Sequence, residues 1–220
     1  VFKHNFLPKV ELVATSTEEG RVYLTPEGNK YRSVTTIIGE ASDKSGLHAW
    51  RKRVGEKEAS KIAGLAASRG TAVHKICEKY LLNEEDYAKD AMPTTISMFK
   101  NIKKILDTCV GDVYGIEFPL YSDTLKTAGR SDFLTSFVGI DSVVDFKTST
   151  RLKKKSFILN YFLQSACYAL MTEERTGLKI PQIAIIIACE ENDTPQVFIE
   201  KTDTYRDRVI KLFMDAQKKK

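Results

Sequence analysis

Asp132, Asp145 and Lys147 are the residues of this sequence whose types and spacing could do chemistry together. They fall in residues 129–150, which read Gly-Arg-Ser-Asp-Phe-Leu-Thr-Ser-Phe-Val-Gly-Ile-Asp-Ser-Val-Val-Asp-Phe-Lys-Thr-Ser-Thr. Two β-rich stretches, 132–138 and 142–147, flank a turn at Gly139, Ile140 and Asp141, and this pattern predicts a hairpin. Side chains alternate along a strand, so Asp145 and Lys147 share one face while Phe146 enters the core. Pairing across the turn brings Asp132 near Asp145. Two carboxylates beside an ammonium suit a hard divalent cation with a charge stabiliser or general base next to it, the equipment of phosphodiester hydrolysis. An isolated Asp-x-Lys pair, by contrast, is an ordinary exposed ion pair worth little, so the surrounding pattern has to decide.

Upstream, His74 and Glu78 stand four residues apart in a helical stretch and project from one face, where they could meet one metal or one phosphate. A zinc protease is disfavoured, because no second histidine lies four residues from the first. Glu117 falls on a predicted strand over 115–121. It reads as exposed, with a place beside the metal as the alternative. Downstream, a helix over 157–172 carries Tyr161, Gln164 and Tyr168 on one stripe.

The ordered set Gly129-x-x-Asp132, then Asp145-x-Lys147, then Gln164-x-x-x-Tyr168 resembles the nuclease core of the PD-(D/E)XK superfamily in its RecB-like branch. The upstream half has its own likeness. Ser33-Val34-Thr35, Leu47-x-x-Trp50-Arg51 and Arg69-Gly70-Thr71-x-x-His74-x-x-x-Glu78 resemble the mitochondrial genome-maintenance exonucleases and their phage relatives, a RecB-like group acting on single-stranded DNA ends. Together the two likenesses span residues 32–174. Ser131 stands where the superfamily's name places a proline, a departure common in this branch. The resemblance implies an α/β restriction-endonuclease-like core, a mixed central β-sheet flanked by helices. It also implies Mg²⁺ or Mn²⁺ held by His74, Asp132, Asp145 and the Phe146 carbonyl, with Glu78 and Glu117 as auxiliaries. Mn²⁺ is the better fit to an imidazole ligand. Lys147 is expected to orient or deprotonate the attacking water, and Gln164 and Tyr168 to brace it. Arg51, Arg69, Thr71, Arg130, Thr148, Lys153, Lys154 and Tyr168 are expected to meet the DNA. Hydrolysis would leave a 5′-phosphate and a 3′-hydroxyl.

The elements that must position these groups are legible in outline. Residues 10–15 and 21–24 read as strands, so residues 1–31 are expected to form a peripheral β-hairpin. Residues 32–110 read as helical, with Leu47, Trp50 and Val54 at helical spacing among Arg51, Lys52 and Arg53. Two helices, 56–67 and 71–82, are expected on either side of Gly70, then a loop over 83–90. After Pro93 follows a helix with an apolar stripe and Lys100, Lys103 and Lys104 outside. The helices around Trp50 and around Lys103 are the expected walls of a passage for a threaded strand. Residues 111–220 hold the catalytic sheet and its helices: a buried strand over 183–189, a partner over 196–201, a closing helix over 204–217, and a lysine tail.

With 220 residues, 42% hydrophobic and 29% charged, the sequence suits one domain with one sizeable core. The net charge of +5 is compatible with a polyanionic partner without requiring one. Cys77, Cys109, Cys167 and Cys189 are widely separated, which argues against a disulfide framework, a zinc knuckle or an iron–sulfur cluster and for a reducing compartment. The expected setting is the cytoplasm of a bacterial or phage-infected cell, ahead of the mitochondrial matrix, with DNA as partner, a recombination or replication protein as a further one, and no membrane. The sequence starts at Val1, so a natural start upstream is expected. The reading is a metal-dependent exonuclease working from free, single-stranded DNA ends. Its rivals are a structure-selective or restriction-like endonuclease and a non-catalytic DNA-binding recombination module.

Overall fold

The computed structural model describes residues 1–218. In chain order these form β1 (Lys3–His4), β2 (Val13–Thr17), β3 (Gly20–Leu24), β4 (Lys30–Ser33), α1 (Val34–Ala41), α2 (Ser45–Val54), α3 (Glu56–Leu81) and α4 (Pro93–Cys109). There follow β5 (Val110–Ser122), β6 (Thr127–Phe137), β7 (Ile140–Ser149), a 3-10 turn (Lys155–Phe157), α5 (Leu159–Thr176), β8 (Gln182–Cys189), β9 (Asn192–Lys201) and α6 (Asp203–Gln217). The described residues make an α/β fold with one mixed sheet of nine strands.

β8 sits deepest. Its isoleucine-rich run is buried along its whole length, as a β-branched strand covered on both faces should be. It pairs parallel with β7 and antiparallel with β9. The layer on one face packs Val73, Leu81, Phe99 and Ile102 of α3 and α4 against Phe133, Phe146 and Ile186 of the sheet. The other face packs Ile37, Leu163 and Phe213 of α1, α5 and α6 against Leu134, Val143 and Ile185. Adjacent residues of β6 and β7 therefore feed opposite cores, the period-2 rule at work.

Along one edge, β6 pairs with β5 over its full length. Its other edge is divided: Thr127 and Ala128 pair with β4, and Phe133 to Phe137 pair with β7. The residues between, 129–132, have no ladder partner on that side. This window in the sheet is the architectural fact from which the site follows.

Two expectations change. The expected N-terminal hairpin forms as β2 and β3, but it does not stand apart: β4 extends it to a meander that joins the sheet through β4 and β6. Tyr23 and Tyr31 dock on Tyr121 and Ala128, a contact between distant parts of the chain that local pattern does not reveal. Gly70 does not break the helix either. α3 runs unbroken for 26 residues, about 39 Å, because the roughly 1 kcal/mol cost of an interior glycine is outweighed by Val73, Ile76, Cys77 and Leu81 seated in the core. α4 packs its apolar stripe on the sheet with its lysines outside, as its periodicity predicts, and Lys103 is tied to Asp107 and lies over the Tyr80 ring. α2 buries none of its residues and leans on α3, with Arg51 paired to Glu56. Among the described residues no helix is long and apolar enough to cross a membrane.

Candidate active site

The window opens into a cleft of about 730 Å³. β6 lines it with Gly129, Arg130 and Asp132, β7 with Lys147, α5 with Gln164 and Tyr168, and α3 with Gly70, Thr71, His74, Lys75 and Glu78. The meander adds Ala14, Arg21 and Tyr23, and the β4–α1 junction adds Ser33 and Thr35. Ser33 caps α1, its hydroxyl accepting from the Thr36 N–H at 3.0 Å, so the junction is rigid at the rim.

Hairpin pairing stops at Phe133 and Val144. One step further, where Asp132 and Asp145 would face each other, a side chain takes over from the backbone: the Phe146 N–H donates to Asp132 Oδ2 at 2.9 Å. The Phe146 carbonyl accepts from His74 Nε2 at 2.7 Å. A carbonyl can only accept, so Nε2 carries the hydrogen. In the neutral imidazole Nδ1 then turns a lone pair toward Asp132 Oδ2, 3.5 Å away, and two acceptors that face each other call for a cation or a proton.

Glu117 is brought in by the backbone of β5. It adopts φ 44°, the left-handed region that side chains other than glycine rarely occupy. The strand turns over there, Ile116 joining the core beside α3 and Phe118 the core beside α5. Potential ligand atoms of His74, Glu117 and Asp132 all lie within 4.8 Å of one another. Burial, reinforced by the Asp132 charge, raises the Glu117 carboxyl above its ordinary range, with His74 pulling the other way.

Asp145 stands on the far side of the window and is nearly sealed from water, 1% exposed. Gln164 Nε2 donates to its Oδ1 at 3.0 Å. Lys147 Nζ comes within 2.5 Å of Oδ2, so the chain holds both oxygens of this buried carboxylate. Burial pushes the Asp145 carboxyl up to about 6 against the pull of Lys147. Lys147 itself is raised, since Asp145 and Asp132 outweigh its own burial, so it is held as an ammonium. Tyr161 faces it, Nζ lying 5.1 Å from the ring centroid.

Gly129 has a steric reason. A Cβ there would lie 2.7 Å from the Tyr168 hydroxyl and 2.9 Å from its ring. The glycine lets Tyr168 lie flat on the unpaired strand, next to Asp132.

The structure thus gathers Asp132, Asp145, Lys147, Gln164, Tyr168 and His74, and moves Glu117 from the periphery to the centre. The Phe146 carbonyl, expected as a ligand, is engaged by His74. Asp145 lies outside the three-residue cluster, and Glu78 lines the cleft without joining it. Of the residues expected to meet DNA, Thr71, Arg130 and Tyr168 line the cleft, and Thr148 lies beside Gly70. Arg69 is instead bound to Glu190 at 2.7 Å and Arg51 to Glu56. The Lys153 backbone is clasped by Gln196, and neither Lys153 nor Lys154 lines the cleft. Arg21 and Tyr23 were missed, because nothing local in the meander announces its docking to β6. A metal fits this donor set: two carboxylates and an imidazole converge.

No protein-family model matches this chain, and no curated protein matches it.

Proposed function

We propose that the chain is a metal-dependent DNA exonuclease with a PD-(D/E)XK core of the RecB-like kind, hydrolysing phosphodiester bonds from free single-stranded ends. The observation that carries the reading is the window at 129–132. There an acidic and imidazole cluster on one side faces a buried carboxylate–ammonium pair on the other, along a cleft of about 730 Å³.

His74, Glu117 and Asp132, with Asp145 across the window, would hold Mg²⁺ or Mn²⁺; such an ion, when bound, polarises the phosphate and lowers the pKa of water. The chain's own groups have separate tasks. Lys147, kept charged by two carboxylates, supplies positive charge to the phosphate oxygens as negative charge builds on them. Its ammonium therefore stabilises and orients, and does not take the proton from water. Gln164 fixes the Asp145 carboxylate and through it Lys147. Glu117, seated beside His74 and Asp132, supplies the second carboxylate of the cluster. Arg130 and Lys75 at the cleft supply charge for the phosphate backbone without reading bases.

End dependence is the part of this reading that most separates it from an endonuclease. With Mn²⁺, linear single-stranded DNA should be digested rapidly and covalently closed single-stranded circles of the same sequence hardly at all. Efficient cutting of circles would replace the exonuclease with an endonuclease. Failure to cut either substrate would leave a binding module.

A further inference from the structure

Apart from the terminal Val1, Phe157 is the most exposed large apolar side chain among the described residues, at 77%. Single exposed apolar residues are common and need no explanation by themselves. The position of this one does. Tyr161, Gln164 and Tyr168 recur at intervals of three and four on one stripe of α5, and Phe157 stands four residues before Tyr161, in the 3-10 turn that leads into the helix. The three members of the stripe all touch the site. Tyr161 faces the Lys147 ammonium, Gln164 holds Asp145, and Tyr168 lies on Gly129. Phe157 precedes the row and is exposed to solvent.

Its neighbours carry charge of one sign. Lys153 and Lys154 are exposed, and among the described residues neither side chain has a carboxylate partner. Lys155, the third lysine of the run, is bound to Glu200, so the free cations just ahead of Phe157 in the chain are Lys153 and Lys154. A π-face that follows free cations and leads into the helix lining a phosphodiester site is the composition of a single-strand track: cations hold phosphates and the ring takes a base.

We propose that Phe157 is a stacking platform for a nucleobase of the single-stranded substrate, a few nucleotides from the phosphate that Lys147 meets. α5 starts at Leu159 and carries Gln164 five residues on, about 7.5 Å at 1.5 Å per residue; Phe157 lies beyond that start, so the ring stands more than about two stacked nucleotides away at 3.4 Å each. This rests on the nuclease reading and adds to it a subsite and a minimum substrate length.

The test uses full-length protein silenced by Asp145→Asn, with Mn²⁺ and single-stranded oligonucleotides of two to ten nucleotides, affinities read by competition against a fluorescein-labelled ten-mer. The silenced parent should gain about tenfold in affinity between two and five nucleotides, the usual size of one base–aromatic contact. Adding Phe157→Ala should erase that step, Phe157→Trp should restore it, and Phe157→Leu should not. The exposure of the ring protects the fold from these changes, and circular dichroism checks it. If the ten-mer does not bind the silenced parent at all, the nuclease reading falls and this inference with it. If it binds but the alanine variant keeps the step, or leucine restores it, the stacking platform is wrong while the nuclease reading stands.

Discussion

One edge of β6 has two adjoining stretches with opposite fates. Residues 133–137 pair with β7 in unbroken register and end in a tight turn, with Phe133, Leu134 and Phe137 sealed in the two cores. Residues 129–132 pair with nothing on that edge, and there the sequence turns to Gly, Arg, Ser and Asp. The closed stretch satisfies its backbone with backbone. At the open one Asp132 accepts the Phe146 N–H, and His74 reaches across from α3 to donate to the Phe146 carbonyl. A sheet that stops pairing must meet its polar groups some other way, and here the substitutes are ionisable side chains. The contrast assigns stability to one stretch and, on the proposed function, chemistry to the other.

The largest effect should come from emptying the open stretch of charge. Asp132→Asn or Asp145→Asn should lower turnover on linear single-stranded DNA by about a thousandfold or more, the scale of losing charge stabilisation at a reacting phosphate, while DNA affinity falls far less. Amide oxygens can still accept from Phe146 N–H and Gln164, so the fold should persist. A loss smaller than tenfold, about 1.4 kcal/mol in the barrier, would mean that the window is not where the chemistry happens.

Next in size is the cost of keeping a charge there. Burial raises Asp145 from 3.8 to about 6, so the folded chain favours its neutral form. Between these values the native state binds more protons than the unfolded one, and the sign follows: stability is fullest below the ordinary carboxylate range and is lost as pH rises through about 6. The loss is on the order of 3 kcal/mol. Glu117, also raised by burial, acts in the same direction, and the raised Lys147 acts only far into the alkaline range. Metal-free protein should therefore melt at a lower temperature at pH 7.5 than at pH 4.5, by several degrees. Asp145→Asn should flatten most of that difference, and Mn²⁺ should recover stability at pH 7.5 by mass action. A melting temperature that rises over the same interval would contradict the picture of a strained, buried carboxylate.

Gly129→Ala probes the boundary between the stretches. The new methyl would collide with the Tyr168 ring, so a loss of about 1–3 kcal/mol, typical of overpacking, is expected, together with reduced turnover from a displaced tyrosine. Adding Tyr168→Leu should return part of the stability and none of the activity, as urea unfolding and the cleavage assay would reveal.

What the sequence made legible divides along the same line. The hairpin, the Asp145–Lys147 face and the α5 stripe follow from periods of 2.0 and 3.6 within one segment, so they could be read directly. His74 and Asp132 could be named from their resemblance motifs, but their meeting depends on α3 crossing β7, a contact between residues 72 apart. Glu117 looked exposed because alternation predicts its face, and a single positive φ reverses that prediction. The meander's place in the sheet rests on two pairs between β4 and β6, too few to leave any periodic signature. Arg51 and Arg69 illustrate the remaining difficulty: a cation reads the same in sequence whether it awaits a phosphate or, as here, already holds a glutamate.

The smallest effect belongs to the far end of the closed stretch, and it separates stability from chemistry most cleanly. Val138 and Gly139 both take positive φ, 54° and 77°, the pattern of a two-residue type I′ turn. Glycine suits its place; valine, β-branched and largely exposed, does not. The favoured sequence for such a turn is Asn-Gly, because asparagine tolerates the left-handed region. Val138→Asn keeps the backbone N–H that donates to the Cys109 carbonyl at 2.8 Å and removes only the strain and an exposed apolar group. The expected gain is about 0.5–1 kcal/mol in urea unfolding, with kcat and KM unchanged, since the turn lies at the end of the hairpin opposite Asp132 and Asp145. A gain in stability accompanied by lost turnover would show that the two stretches are mechanically coupled, and that the window depends on the very strain at the turn that this substitution relieves.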